Sequence, residues 1–525
     1  MPSLTKVNRS AATLSKNRTE DSISPFSGMC VTCVDGCIGM CEIGKSAYRG
    51  HEVIYPQPFG IITTASEKDY PVDYSHFTVL GTAVGAHGIE ADSDKAIFPN
   101  VNLEQRIGEL KFKLPIMIPG LGSTNVAHNN WEGLAIGTAL AGTGLTIGEN
   151  VVGMDVESEI VNGKVKKAPE LDRRIKMFQK WQRDGFGVIV CQANVEDTRL
   201  GVQEYAIREL GVEAVELKWG QGAKDIGGEV KIKNLVKAQL LRKRGYVVLP
   251  DPLDENVIKA FEAGAFKEFE RHSRIGMVTE ESFMQRVQEL RDAGAKYVFL
   301  KTGAYRPADL ARAVKYSSKA RIDLLTVDGA GGGTGMSPWR MMNEWGVPAV
   351  ELHSLLHEYV DKLAKNGEYV PSIAHAGGFT FEDQMYKGLA LGAPYIKLIG
   401  MARGPLAAAM VGKTIGKKIN EGMIPVFVER FGSDIEDIFV TAAELKRELG
   451  EETFKELPTG AIGLYTYFER LAQGLRQLMC GNRKFSLAHI ERDDIAALTH
   501  EAADISGITY IMEVDKEEVG KILAN

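Results

Sequence analysis

The sequence predicts an α/β protein built on a (β/α)8 TIM barrel, with an N-terminal cysteine-rich segment and a C-terminal helical extension. Three observations lead there. From residue 114 onward, short apolar runs alternate with helix-like segments, the pattern of parallel strands joined by crossover helices. The runs number eight, which suits a closed barrel. Much of the chain's complement of 56 glycines clusters late, after the sixth, seventh and eighth runs. A doubly wound sheet would usually carry its glycine-rich phosphate loop after the first strand.

The chain has 525 residues, beyond the roughly 250–300 at which one core stops growing, so a large domain with additions is expected. Hydrophobic residues at 44% and charged residues at 25% are the balance of an ordinary globular protein. Lys+Arg of 62 against Asp+Glu of 69 gives a net charge of -7, and no dense basic stripe tracks the sequence. Nucleic acid is therefore not an expected partner. The first residues are polar and lack the apolar core of a signal peptide, and no run of about 18 apolar residues follows. A cytoplasmic protein without a membrane partner is the expectation. Composition divides the chain into an N-terminal arm over 1–47, a barrel over 48–432 and a helical region over 433–525.

The arm holds four of the six cysteines, Cys30, Cys33, Cys37 and Cys41, in the run CVTCVDGCIGMC. In a reducing compartment four thiolates so close together suit a metal centre better than disulfides. The spacing matches neither a bacterial ferredoxin run nor paired zinc knuckles, and a [4Fe-4S] cluster is preferred over zinc or no metal.

The predicted barrel strands are Leu114 to Pro119, Leu145 to Gly148, Val188 to Gln192, Ala214 to Lys218, Tyr297 to Lys301, Leu324 to Asp328, Val370 to Ala374 and Tyr395 to Ile399. A further apolar run, Tyr246 to Leu249, is expected to lie in an insertion over the barrel mouth. In such barrels chemistry sits at the carboxyl ends of the strands. Polar and glycine residues collect at all eight ends: Gly120, Gly122 and Ser123, then Glu149, Gln192, Lys218, Lys301, Asp328 with Gly332, Gly333 and Thr334, Gly377 with Gly378, and Gly400 with Arg403. Loops after the seventh and eighth strands commonly seat a phosphate, with glycine amides and here an arginine to receive it. Lys301 closes an apolar run, so its ammonium should project into the mouth, where a bound anion is the natural partner. His375 can face the site or serve only the core, and buried packing is the expected role of Cys191 and Cys480.

The string VELKWGQGAKDIGG, Val215 to Gly228, resembles the signature of the FMN-binding domain of glutamate synthases. Agreement continues through CQANVEDTRLGV, DGAGGGTGMSP, HAGG and LGAPYIKLIGMARG, so the resemblance covers roughly residues 50 to 425. It implies FMN in the barrel, with Gly120 to Ser123, Glu149 and Gln192 near the ring system and Lys218 and Lys301 near its pyrimidine edge. The same resemblance implies a phosphate on Gly332, Gly333, Gly378, Gly400 and Arg403, and Lys224 facing the carboxylates of 2-oxoglutarate. The implied reaction is reductive amination of 2-oxoglutarate with ammonia to L-glutamate.

This chain departs from that pattern after Lys224, where Asp225, Ile226, Gly227, Gly228 and Glu229 replace a longer loop ending in Gln-Leu-Pro-Gly. Carboxylates beside a dicarboxylate substrate are unfavourable unless paired, which opens an alternative substrate: another imine, an amino acid or an unsaturated compound. Trp219 is bulky for the loop, and Lys233, Arg242 and Arg244 are further cationic candidates. The cysteines that large glutamate synthases carry after strand eight are replaced by GPLAAAMVGKTIGKK. Electrons would then come from ferredoxin or a flavoprotein subunit, and nitrogen from free ammonia or a partner's. A homo-oligomer is expected, and a flavin or cluster sensor without turnover is the remaining alternative.

Overall fold

The computed structural model describes residues 68–89, 92–219, 229–332 and 339–524, with 47 and 49. Eight parallel strands close into a barrel: β1 (Ile116–Leu121), β2 (Gly144–Ile147), β3 (Val188–Ala193), β4 (Ala214–Lys218), β5 (Tyr297–Thr302), β6 (Leu324–Asp328), β7 (Ser372–Ala376) and β8 (Ile396–Gly400). Closure is made by β8 on β1, where Ile399 pairs with Ile116 and Gly400 with Met117. All eight lie where the sequence places them, with ends shifted by no more than a couple of residues.

The two-residue period of a strand decides which side chains enter the lumen. Met117, Val188, Val190, Ala214, Phe299, Leu324, Ala374 and Leu398 form its packed interior. Continuing each alternation upward places Gln192, Glu216, Lys218, Lys301, Asp328, Ala376 and Gly400 at the top of the same lumen. The opposite residues, such as Ile116, Ile118, Val215, Leu300 and Val327, face the surrounding helices. The lower end is filled by a hairpin, Gln105–Ile107 against Leu110–Phe112, whose Ile107, Leu110 and Phe112 join the lumen cluster.

Crossover helices used below are α1 (Asn125–Leu140), α2 (Pro169–Trp181), α3 (Val195–Leu200), α4 (Ala349–Lys365) and α5 (Arg403–Asn420). The long connection between β4 and β5 holds a three-stranded antiparallel sheet in which Phe269–His272 lies between Glu229–Ile232 and Val247–Leu249. It has its own core of Ile232, Ala238, Leu241, Tyr246, Val248 and Phe269. The run around residue 246 thus belongs to an insertion, and two further strands accompany it.

The C-terminal region is mainly helical, yet Ile495–Ala497 is a strand paired antiparallel with Phe77–Val79. Its principal helix, α6 (Thr459–Gly481), lies against α1 and α5 on the barrel flank. The backbones come very close there: a Cβ on Gly463 would stand 2.8 Å from the Gly412 Cα, and one on Gly133 2.9 Å from the Gly460 carbonyl carbon. Glycine is required by that approach. Gly463→Val should therefore cost about 1–3 kcal/mol, read as a lower urea midpoint; an unchanged midpoint would mean that the crossing yields freely.

Candidate active site

A cavity of about 1340 Å³ opens at the carboxyl ends of the strands and runs outward to the insertion sheet. Gly120, Gly122, Ser123, Glu149, Lys218, Lys301, Asp328, Gly332, Gly377, Gly378, Gly400 and Arg403 all line it. Gln192 lies just beneath: a Cβ on Gly120 would stand 2.6 Å from its Oε1. Lys224, Gly333, Thr334, Asp225 and the four cysteines of the arm fall outside the described residues.

Charge at the mouth is arranged in pairs. Lys218 Nζ donates to Glu149 Oε2 at 2.8 Å, and Lys301 Nζ lies 2.9 Å from Asp328 Oδ2. The partner of Lys301 is therefore an internal carboxylate, whereas the sequence suggested a bound anion. Gln192 Nε2 donates to Glu216 Oε1 at 2.5 Å, leaving the Gln192 Oε1 buried without a hydrogen-bond partner. Burial would discharge Lys301, but the charges of Asp328, Glu216 and Glu149 outweigh it and hold the ammonium above its ordinary value. Burial raises the Glu216 carboxyl, and Lys301, Gln192 and Lys218 only partly offset it. Glu149 is only partly exposed, which would raise its carboxyl, yet Lys218 and Lys301 hold it below its ordinary value.

Beside these pairs, glycines shape a cradle. Gly331, Gly377 and Gly378 have φ of +110°, +124° and +107°, which residues with a Cβ seldom adopt. A Cβ on Gly377 would also stand 2.8 Å from the Gly329 amide nitrogen. Arg403 is the first residue of α5, an 18-residue helix whose amino end faces the cavity. Its guanidinium lies 3.4 Å from the Gly331 carbonyl; burial lowers its pKa and the Asp328 charge partly restores it. Close-approaching glycine backbone, a helix amino end and a guanidinium are features that suit an anion.

Several side chains at the cavity were not visible in the sequence as site residues. Arg174, on α2 and 1% exposed, reaches under the β1 loop to the Leu121 and Gly122 carbonyls at 3.4 and 3.0 Å, bonds Glu170 at 2.8 Å, and stacks on Trp131 with its guanidinium 4.5 Å from the ring centre. Arg271, in the middle strand of the insertion sheet, and Lys237 both line the outer cavity. Arg271 is 2% exposed, donates to Ser273 Oγ at 2.6 Å, and its Nε has no hydrogen-bond partner. Of the three cations suggested by the sequence, Lys233 lines the cavity, 3.4 Å from Glu268. Arg242 pairs with Asp251 at 3.3 Å, and Arg244 is spent on the Gly153, Asp155 and Ser158 carbonyls. Trp219 turns outward, its ring 5.5 Å from Phe283 and 6.0 Å from Tyr316.

His375 does not face the cavity. It occupies the outward face of β7, 1% exposed, stacked on His353 of α4 at 3.9 Å with the rings 1° from parallel. Burial pushes both imidazoles down, His353 to about 4. Cys191 is buried on β3 and its thiol is pushed up by that burial.

The geometry defines a (β/α)8 barrel whose mouth couples an anion cradle to buried lysine–carboxylate pairs. Residues 271–411 match the family model described as the conserved region in glutamate synthase. A glutamate synthase large subunit-like protein of Bacillus subtilis (strain 168) is 26% identical over 196 residues, which is 37% of this chain and 33% of that relative. The match thus spans about a third of the relative's length. Over this part of the barrel the chain is similar to the conserved region of glutamate synthases. Solved structures with a similar chain course include the recombinant flavin-binding domain of baker's yeast flavocytochrome b2, with 12% identity, 81% of this chain and 77% of that one covered, and a TM-score of 0.47. A mandelate oxidase variant with (S)-mandelic acid gives 16% identity, 80% and 86% coverage, and a TM-score of 0.43. Among the described residues, no helix is long and apolar enough to cross a membrane, and no group of three or more His, Cys, Asp or Glu could hold a metal ion.

The Arg174–Glu170 pair generates a pH test. Burial alone would raise the Glu170 carboxyl, but hydrogen bonds from Arg173 and Arg174 hold it at about 2, below its ordinary 4.5. A depressed carboxyl stabilises the fold fully above the unfolded value and loses that contribution as pH falls through the folded one. Wild-type protein should lose stability between pH 4.5 and 2 more steeply than Glu170→Gln, which lacks the charge. Urea midpoints across that range check this; parallel curves would place the acid-sensitive group elsewhere.

Proposed function

We propose that the chain is an FMN-dependent oxidoreductase that reduces the imine of ammonia and 2-oxoglutarate to L-glutamate. The observation that carries the reading is the joining, in one cavity, of a glycine and arginine anion cradle to the Lys218–Glu149 and Lys301–Asp328 pairs. The residues fit the cofactor. Positive-φ glycines leave a cradle that side chains would fill, Arg403 supplies a bidentate cation, and Gln192 keeps a buried acceptor without a protein partner.

FMN, when bound, supplies the hydride. Gly332, Gly378, Gly400 and Arg403 would hold its phosphate, and Gly333 and Thr334 belong to the same sequence loop. Lys218 and Lys301 would set positive potential where the reduced ring system carries negative charge. Glu149, bonded to Lys218, is placed to hold or pass a proton at the cavity wall. Arg271 and Lys237, in the outer cavity, would orient the two carboxylates of the substrate, a role that Lys224 would share on the sequence resemblance alone. Condensation of ammonia with the ketone releases water, and the hydride with one proton completes the amine. Ferredoxin or a flavoprotein subunit would supply electrons. The cysteine run Cys30, Cys33, Cys37 and Cys41 would hold a [4Fe-4S] cluster on their way, a reading that rests on sequence spacing.

A second reading keeps the cofactor and changes the substrate to another imine or an amino acid. It is favoured by the acids of the mouth, where Glu149, Glu216 and Asp328 outnumber Lys218 and Lys301. The deciding experiment is to load the protein with FMN, reduce it without oxygen, and add ammonia with 2-oxoglutarate. Return of the oxidised flavin bands with glutamate formed supports the first reading; a flavin that stays reduced favours the second. Arg403→Ala should lower FMN occupancy, seen as a smaller flavin-to-protein absorbance ratio, and an unchanged ratio would remove Arg403 from the phosphate. Cys33→Ser should lose iron in an anaerobic preparation while FMN stays bound; full iron content would end the cluster reading.

A further inference from the structure

Behind the Lys218–Glu149 pair lies a carboxylate that the proposed reaction does not use. Asp197 stands in the first turn of α3 and is 1% exposed. Its Oδ2 accepts from the backbone N–H of Asn150 at 2.9 Å, while its Oδ1 is buried without a hydrogen-bond partner. Asn150 follows Glu149 directly and sits at φ 66°, ψ 10°. Left-handed backbone is uncommon outside glycine, asparagine being among the residues that adopt it most readily, and neighbours decide how firmly it is held. The Met154 amide donates to the Asn150 carbonyl at 3.0 Å, opening the short helix that Asn150 caps. The Ser123 amide donates to the Glu149 carbonyl at 3.2 Å, and the Tyr246 hydroxyl lies 3.5 Å from Asn150 Oδ1. The Asp197 bond is the charged member of this set, and a charge-assisted bond to a backbone amide is the strongest type available to it.

We propose that Asp197 is a positioning residue of the site: by holding the Asn150 amide it fixes the left-handed turn and keeps the Glu149 carboxylate on Lys218. The proposal rests on the reading of Glu149 and Lys218 as reaction-site residues. Asp197 touches neither cofactor nor substrate and acts only through this turn. The groups that face it are Glu149 at the end of β2, Arg271 from the insertion sheet, Tyr246 at the start of that sheet's edge strand, and Cys191 on β3. Burial, and then the Glu149 charge against the Asn150 amide bond, pushes its carboxyl up to about 7. The hold on Asn150 is then full above that pH and weakens below it, which ties the aim of Glu149 to neutral pH.

The test uses the FMN-loaded protein labelled with 15N-asparagine. In the wild type the Asn150 amide resonance, assigned by its loss in Asn150→Gly, should move with a midpoint near pH 7, and in Asp197→Asn it should not move. In the kinetic arm, Asp197→Ala should slow flavin reoxidation by saturating ammonia and 2-oxoglutarate by about 10- to 100-fold, as misaligned groups do, with KM little changed. Adding Asn150→Gly, which adopts positive φ unaided, should recover most of that loss. An Asn150 amide that ignores pH across neutrality, or a double variant no faster than Asp197→Ala, would overturn the proposal. If the wild type is not reoxidised, the substrate reading fails while the amide titration still decides Asp197. Should Asp197→Ala not fold, Asp197→Asn and the titration decide alone.

Discussion

Everything at the barrel mouth depends on keeping two ammonium groups charged where water is scarce. Lys301 and Asp328 are each 6% exposed and Glu216 2%. An isolated ion at such depth would be costly, by several kcal/mol even after relaxation. The structure answers with short pairs and with neighbouring carboxylates, so that charge is retained but its field is directed into the cavity. The arrangement is also inflexible, because removing one member leaves the others buried without compensation. That constraint explains why Glu216, Lys218, Lys301 and Asp328 come from strands, whose register is fixed by the ladder, while Gly331, Gly377 and Gly378 come from loops that approach closely.

Much of this architecture could be read along the chain. The eight apolar runs became the eight strands because a parallel strand buried on both faces reads as a continuous apolar run. The polar residues that end those runs sit at the mouth for the same reason: the ladder leaves them nowhere else to go. What could not be read depends on contacts between distant residues. Arg174 lies on an amphipathic helix and resembles any solvated arginine until the fold brings it beneath Leu121 and Gly122, some fifty residues away. Arg271 lies in a short strand, FERH, of an insertion whose sheet has no strong period of its own. Asp197 looks like the usual acid in a first helical turn, and only its bond to the left-handed Asn150 sets it apart. Lys301 was placed correctly and its partner was not, because strand registry between β5 and β6 decides that Asp328 meets it.

The insertion and the barrel contribute different walls of the cavity. Lumen residues and the glycine cradle are fixed by strand register and by backbone approach, which leaves little freedom to vary. Arg271, Lys237 and Lys233 come from a separately packed sheet and helix, joined to the barrel by connections that tolerate change. A change in the insertion would therefore alter the outer cavity while leaving the strand-held residues below it in place.

The hairpin that fills the lower lumen has a consequence for traffic. With Phe112 and its neighbours packed between Met117 and Leu398, the described part of the lumen is solid at its base and opens at the mouth. Two ligands that share one doorway cannot pass each other. Whatever occupies the cradle and lumen lies below whatever rests against the insertion sheet. The fold thus sets a depth order within one vessel, the cradle and lumen lying deep and the insertion sheet near the rim.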